Sequence, residues 1–149
     1  MAAVTAISTL GGKVCMDSRA NELWISRKAD GTIQAGWLAD ISGDTAVSLD
    51  YSNDLDEFGG LALPRYDTDV DTAYTSGDLI DIVIPQGGHL YNCLITNPAA
   101  TIYAGEPLVF ANGTVGELTK GGNIEAEHVA RLFDDCITAT TYATIIWGV

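Results

Sequence analysis

Carboxylates at regular spacing give this chain its best candidate for chemistry. Asp67, Asp69 and Asp71 alternate along a short segment, and Asp78 follows eleven residues after the first of them. Oxygen ligands at loop positions 1, 3, 5 and 12 are the set that binds Ca²⁺ in helix–loop–helix sites. However, Thr72 stands where the sharp turn of such a loop requires glycine, and Asp78 replaces the usual bidentate glutamate. No helical pattern flanks the segment, so the sequence favours a solvated acidic loop over a calcium site. It predicts no metal and no cofactor.

The histidines and cysteines form no catalytic pattern. His89 and His128 lie in or beside turns, without a partner at metal-ligand spacing. No Gly-x-Ser-x-Gly elbow and no glycine-rich phosphate loop is present. Cys15, Cys93 and Cys136 are far apart, and an odd number without Cys-x-x-Cys spacing indicates reduced thiols that pack as small hydrophobic residues. We therefore predict that the chain is not an enzyme.

The elements that position these residues are predicted to be short β-strands separated by turns. Residues 83–84 lead into a Pro-Gln-Gly-Gly turn, and residues 90–95 supply the return strand of a hairpin. Asn112-Gly113, between residues 108–110 and 114–115, is the strongest short hairpin signal, since both central residues accept positive φ. Residues 61–64 indicate a short edge strand ended by proline. The threonine- and isoleucine-rich segment 139–147 indicates a closing strand.

Nine or so such strands, with turns every eight to twelve residues, are typical of an all-β fold. We predict a small β-barrel or sandwich of short antiparallel strands, formed as a single domain by residues 31–149. Residues 1–30 differ from the rest, because they contain little core pattern and more than half of the basic residues. They are either the first strands of the domain or an extended N-terminal arm that adds a strand to a neighbour.

The charge distribution narrows the classes of partner. The chain of 149 residues has a net charge of −13. Residues 1–28 contain four basic and two acidic residues, whereas the remainder contains three basic and eighteen acidic ones. An acidic body without a basic stripe repels phosphate backbones, so we predict no direct contact with nucleic acid. No apolar run approaches the roughly 20 residues that span a bilayer, and no signal peptide is evident, so we predict no membrane contact.

The second half of the chain contains several short turn and strand motifs. They are Thr75-Ser76-Gly77-Asp78 with Val83, the Gly87-Gly88 turn, Tyr91-Asn92-Cys93-Leu94, Gly105-Glu106-Pro107-Leu108, Asn112-Gly113-Thr114 and Val129-Ala130-Arg131-Leu132 before a closing strand. Together these motifs resemble small capsid decoration (cement) proteins of tailed bacterial and archaeal viruses. The resemblance covers roughly residues 75–149, about half of the chain, and residues 1–60 contain no match.

The resemblance implies a structural virion protein, made in the host cytoplasm, that binds the outer surface of the assembled head. It implies a homotrimer that bridges and stabilises the major capsid protein subunits through an N-terminal arm. We expect Trp37 and Trp147 to be exposed aromatics at the trimer contact, and we expect the arm to pair with a capsid strand through its apolar residues Val4, Ile7, Leu10 and Val14. The alternative is a non-catalytic ligand-binding β module for carbohydrate or calcium.

Overall fold

The computed structural model describes residues 12–13, 23–48, 58–64, 72–96, 100–111, 115–124 and 127–148. The described residues form thirteen β-strands and no α-helix. The prediction of an all-β barrel fold is therefore confirmed. In those same ranges, no helix is long and apolar enough to cross a membrane.

Five strands close into a first barrel, in the order β2-β4-β3-β5-β6 with β6 paired back to β2. Within it, β2 pairs with β4 in parallel and the remaining pairs are antiparallel. The strands are β2 (Trp24–Ala29), β3 (Leu38–Ser42), β4 (Thr45–Ser48), β5 (Phe58–Ala62) and β6 (Leu79–Val83).

A second closed ring of strands, which we call the second barrel, is formed by the C-terminal half of the chain. It runs β7-β10-β9-β11-β13, and β13 pairs along the whole of β7, which closes the ring. A short β1 pairs with β7, and β8 and β12 form a separate two-stranded ribbon. The bounds are β1 (Gly12–Lys13), β7 (Leu90–Ile95), β8 (Ile102–Tyr103), β9 (Pro107–Phe110), β10 (Leu118–Lys120), β11 (Ala130–Leu132), β12 (Cys136–Ile137) and β13 (Thr141–Trp147).

The alternation of side chains along the strands explains why these segments fold as barrel walls. In β6, Ile80 and Ile82 are fully buried, whereas Leu79 is exposed. In β11, the buried Ala130 and Leu132 flank an exposed Arg131. Because successive side chains of a strand point to opposite faces, each strand gives one face to the barrel interior and the other to its exterior.

The two barrels share apolar packing. The first barrel has its own cluster around Ile33, Ile80 and Ile82. The larger cluster fills the second barrel, yet it also contains residues of the first barrel that are 0–1% exposed: Leu38, Leu61 and Val83. Burial of a leucine or valine contributes about 1.5–3 kcal/mol, so these side chains hold the barrels together.

Backbone contacts reinforce this junction between the barrels. The N–H of Leu38 donates to the carbonyl oxygen of Gly116 at 2.8 Å, and the N–H of Leu94 donates to that of Gly36 at 3.0 Å. A Cβ atom on Gly116 would overlap the backbone of Leu38. Glycine is therefore required at position 116 for the two backbones to approach this closely.

The predicted hairpin between residues 83–84 and 90–95 is wrong. Both strands exist, but β6 pairs with β2 and β5, whereas β7 pairs with β13, β1 and β10. The intervening turn instead connects one barrel to the other. Tyr91 of the second barrel holds this turn in place, because its hydroxyl accepts a hydrogen bond from the N–H of Gln86 at 3.0 Å. The residues of the turn indicate where the chain bends, but they do not determine whether the strands before and after the turn pair with each other.

Two other strand predictions need correction. Residues 61–62 of the predicted edge strand 61–64 are the end of β5, which has β3 and β6 on its two sides because the barrel is closed, and residues 63–64 are not in a strand. The Asn-Gly hairpin is present as the antiparallel pair β9–β10, but Phe110 pairs with Leu118, and Ala111 donates to the carbonyl of Glu117 at 2.9 Å. The return strand therefore starts later than residues 114–115, and the connection is longer than two residues.

Candidate interaction surface

Before residue 23, the structure describes the N-terminal region only at β1, which lies on the second barrel. β1 pairs in antiparallel register with the middle of β7. Trp24–Ala29, also within the segment considered as an arm, is the first strand of the first barrel. The four predicted capsid-binding residues Val4, Ile7, Leu10 and Val14 lie outside the described residues, so their role stays a prediction.

Three segments of the chain contact the same edge of β7. The other edge is taken by β13 along the whole strand. On the edge that carries β1, the N–H of Leu94 is already bonded to Gly36 of the first barrel, and Ile95 is paired with Leu118 of β10. β1 at Tyr91 and Asn92, the first barrel at Leu94 and β10 at Ile95 therefore lie side by side along this edge.

The acidic loop is only partly described. Asp67, Asp69 and Asp71 lie outside the described residues. The Asp78 carboxylate is turned toward its own backbone, where it accepts bonds from the Thr75 N–H at 2.8 Å and hydroxyl at 3.2 Å. Among the residues that the structure describes, no three acidic, histidine or cysteine side chains form a group that could hold a metal ion. Asp78 thus stabilises a turn, as side chains of this type commonly do.

The histidines and the described cysteines lie in separate places. The His128 ring is 2.8 Å from the carbonyl oxygen of Gly122, whereas the His89 ring stacks near that of Tyr91 with centroids 6.5 Å apart. Cys93 is fully buried, and burial, followed by the charge of Glu117, raises the pKa of its thiol. Such a thiol is inert as a nucleophile. Cys136 is exposed.

Trp37 and Trp147, predicted to be exposed at the oligomer contact, are both half-buried. Trp37 packs against the core of the first barrel and Trp147 against that of the second. The Trp147 ring also lies near that of Phe110, with centroids 6.4 Å apart and planes tilted by 56°. The expectation that these rings are exposed is therefore wrong, because they cover barrel cores; their contact with a second copy stays a prediction.

The exposed apolar side chains are others, which the sequence reading did not select. The large ones among the described residues are Leu23, Trp24, Leu79, Tyr103, Ile124 and Phe133. Trp24 and Leu79 lie at opposite ends of the β2–β6 ladder. Tyr103 and Phe133, in contrast, belong to two segments joined by backbone bonds at 2.7–2.9 Å, from Gly105 to the carbonyl of Leu132 and from Ala104 to that of Asp135. We call residues 101–107 and 131–137, which contain the β8–β12 ribbon and the segments beside it, the ribbon end.

Polar contacts hold the Tyr103 turn in place. Glu106 accepts a bond from the Tyr103 N–H at 2.7 Å and forms an ion pair with Lys120 at 3.0 Å. These two contacts, the backbone bond first, lower the pKa of the Glu106 carboxyl. Arg131 donates to the carbonyl oxygen of Gly105 at 2.9 Å, and Gly105 has a φ of +83°, which favours glycine. The Gly-Glu pair after Tyr103 is the sequence signal that indicates this rigid turn.

Phe133 is fixed in a similar way. Its N–H donates to the carbonyl oxygen of Thr144 at 2.9 Å, and the carboxylate of the next residue, Asp134, accepts from the Thr144 N–H at 2.7 Å. The backbone on both sides of the ribbon end is thus bonded to the barrel wall. Both aromatic rings are presented to solvent from a fixed backbone.

The fold is one known from bacteriophage heads. It is similar to a chain in the capsid of Myoviridae phage XM1, with a TM-score of 0.63 and 11% identity over 94% of this chain and 91% of that one. It is also similar to the N base of head fiber gp8.5 in bacteriophage phi29, with a TM-score of 0.53 and 11% identity over 85% of this chain and 94% of that one. No family model and no curated protein matches the sequence. At this identity the likeness shows the fold, and the predicted resemblance to phage head proteins is confirmed at that level.

Proposed function

We propose that this protein is a structural component of a virion that binds the outer surface of the assembled head and stabilises it by bridging major capsid subunits. The observation that carries the proposal is the fold, which matches two chains of phage heads over at least 85% of this chain. A local motif could not produce such coverage.

The described residues support a binding role rather than catalysis. His89, His128, Cys93 and Cys136 lie in separate places, and the described part of the chain contains no metal-binding group. Its rigid, exposed features are apolar side chains on barrel walls and turns. We propose that the protein acts by association alone.

The N-terminal segment is the proposed bridge to the shell. β1 fixes its root on β7, and the segment before Gly12 contains the apolar residues Val4, Ile7 and Leu10. An extended segment of this type can add a strand to a sheet edge of a capsid subunit. We propose that it does so, while the acidic body remains on the outside of the head as part of a homotrimer.

Stabilisation then follows from mass action. A protein that binds the assembled shell and not its dissociated subunits stabilises the shell by RT ln(1 + [L]/Kd), about 4 kcal/mol per site at a thousandfold excess over Kd. Three arms on one trimer would raise the apparent affinity through their effective concentration. Individually weak arm contacts are therefore sufficient.

The test is co-sedimentation of the purified protein with expanded heads of the virus that encodes it. The full chain should bind and should raise the temperature at which heads rupture. A variant with Val4→Asp, Ile7→Asp and Leu10→Asp should lose both effects, whereas the control Leu79→Asp, on the exposed wall of the first barrel, should retain them. Failure of the full chain to bind heads would refute the proposed function, and binding by the triple variant would refute the role of the arm.

A further inference from the structure

We infer that the ribbon end is the surface through which copies of this chain contact one another, with Tyr103 and Phe133 at its centre. This inference rests on the self-association that the proposed function includes. It replaces the half-buried Trp37 and Trp147 as the predicted contact.

The two rings have the properties of residues that dominate interfaces. Tyr103 is 60% exposed and Phe133 is 53% exposed. Aromatic side chains are enriched among the residues that contribute most of the binding energy at protein interfaces. They lose little conformational freedom on binding when the backbone that carries them is already rigid. The bonds that Glu106 and the Thr144 carbonyl accept, and the bond that Arg131 donates, provide this rigidity.

Charge favours a second copy as the occupant. Copies with a net charge of −13 repel each other, and a contact is least unfavourable where positive charge is present. Two of the three basic residues that follow residue 28, Lys120 and Arg131, lie at this end. The acidic residues here are Glu106, which is paired with Lys120, and Asp134 and Asp135. Both signs of charge are therefore present and nearly balanced at this end, so that opposite charges of neighbouring copies can meet around a threefold axis.

The size of the patch sets the strength of the contact. The two partly exposed rings supply roughly 200 Å² of apolar surface per copy. A stable interface buries about 800 Å² per partner. The surrounding polar turn must therefore supply the rest, so we expect association in the micromolar range, which dilution can reverse.

The experiment is light scattering on the full chain between roughly 1 and 100 µM. We expect the wild-type mass to rise to three times the 15.7 kDa of one copy. Tyr103→Ser with Phe133→Ser should weaken association at least tenfold. The control Trp24→Ser with Leu79→Ser removes two equally exposed apolar side chains from the first barrel and should leave the mass unchanged. Melting temperatures confirm that both variants fold.

A second measurement uses the wild-type chain alone. The exposed Cys136 is paired in register with Tyr103, so it reports on this surface. Its rate of modification by a maleimide, followed by peptide mass spectrometry, should fall several-fold as the protein concentration rises through the association range. A rate that is independent of concentration while the mass triples would overturn the inference.

The remaining outcomes separate this inference from the proposed function. A wild-type chain that stays monomeric at 100 µM yet binds heads would overturn the inference and leave the proposed function standing. A wild-type multimer that dissociates in the Tyr103→Ser, Phe133→Ser variant but never binds heads would support the inference and refute the proposed function. A double variant that keeps its mass but no longer binds heads would assign the ribbon end to the shell, and the inference would be wrong.

Discussion

Replacement of Gly116 by alanine is the most direct test of the contact between the two barrels. Gly116 accepts a backbone hydrogen bond from Leu38 at 2.8 Å, and an added Cβ atom would overlap the carbonyl oxygen of Leu38 and lie 2.7 Å from its nitrogen. The atoms that would be displaced are backbone, which cannot rotate out of the way as a flexible side chain does. The junction must therefore open.

The expected cost combines two effects. Overpacking of a tight site costs about 1–3 kcal/mol. The hydrogen bond between Leu38 and Gly116, once stretched, forfeits about 1 kcal/mol more. A total of about 3 kcal/mol corresponds to a fall of about 6–12 °C in the melting temperature of a chain of this length.

The assay is thermal unfolding of Gly116→Ala beside two matched controls, Gly87→Ala and Gly122→Ala. A Cβ atom on either control glycine meets nothing within 4 Å, and neither has a left-handed φ. The controls should therefore melt within a degree or two of the wild type, or slightly higher because alanine reduces the entropy of the unfolded chain. If Gly116→Ala melted with the controls, the close approach of the two barrels would be refuted.

Three further predictions concern the second barrel. The bond from the Tyr103 N–H lowers the pKa of Glu106 in the folded state, so the ionised carboxylate stabilises the fold above the ordinary pKa of 4.5, and this stabilisation is lost as the pH falls through the lowered pKa. Glu106→Gln should therefore lower the melting temperature near pH 7 but not in acid. An equal loss at both pH values would contradict this. Tyr91→Phe should cost about 1 kcal/mol in a denaturant titration, because the partly buried N–H of Gln86 loses its acceptor. Peptide mapping after brief alkylation should show Cys136 modified and Cys93 protected, and equal labelling of the native protein would disprove the burial of Cys93.

The sequence predicted local structure better than it predicted pairing. The alternation of residues 79–83 and the threonine- and isoleucine-rich closing segment indicate strands, and β6 and β13 lie there. The Pro-Gln-Gly-Gly turn suggested that β6 and β7 pair with each other, which they do not. Strand partners are set by which edges remain free once each barrel closes. That is a property of the whole chain, and a four-residue turn does not encode it.

The candidate surface was missed for a different reason. Tryptophan is the most conspicuous interface residue in a sequence, which favours Trp37 and Trp147 as the predicted contact. Exposure depends on which face of a strand or turn the side chain occupies after folding, and Trp147 belongs to β13, which is a wall of the second barrel. Tyr103, in contrast, is 60% exposed and lies just before the turn at Gly105, whose φ is +83°.

The edge of β7 explains why the two barrels are best regarded as one unit. That edge is completed by β1, by Gly36 of the first barrel and by β10, and the link to β10 is a parallel contact at a single pair of residues. Without the first barrel, the N–H of Leu94 would lose its acceptor, and the shared cluster would lose Leu38, Leu61 and Val83. Together these losses are a large fraction of the roughly 5–15 kcal/mol free energy of unfolding that is typical of a folded protein. The second barrel therefore depends on the first for its closure, and a chain shortened to residues 84–149 should not preserve the ribbon end in its present geometry.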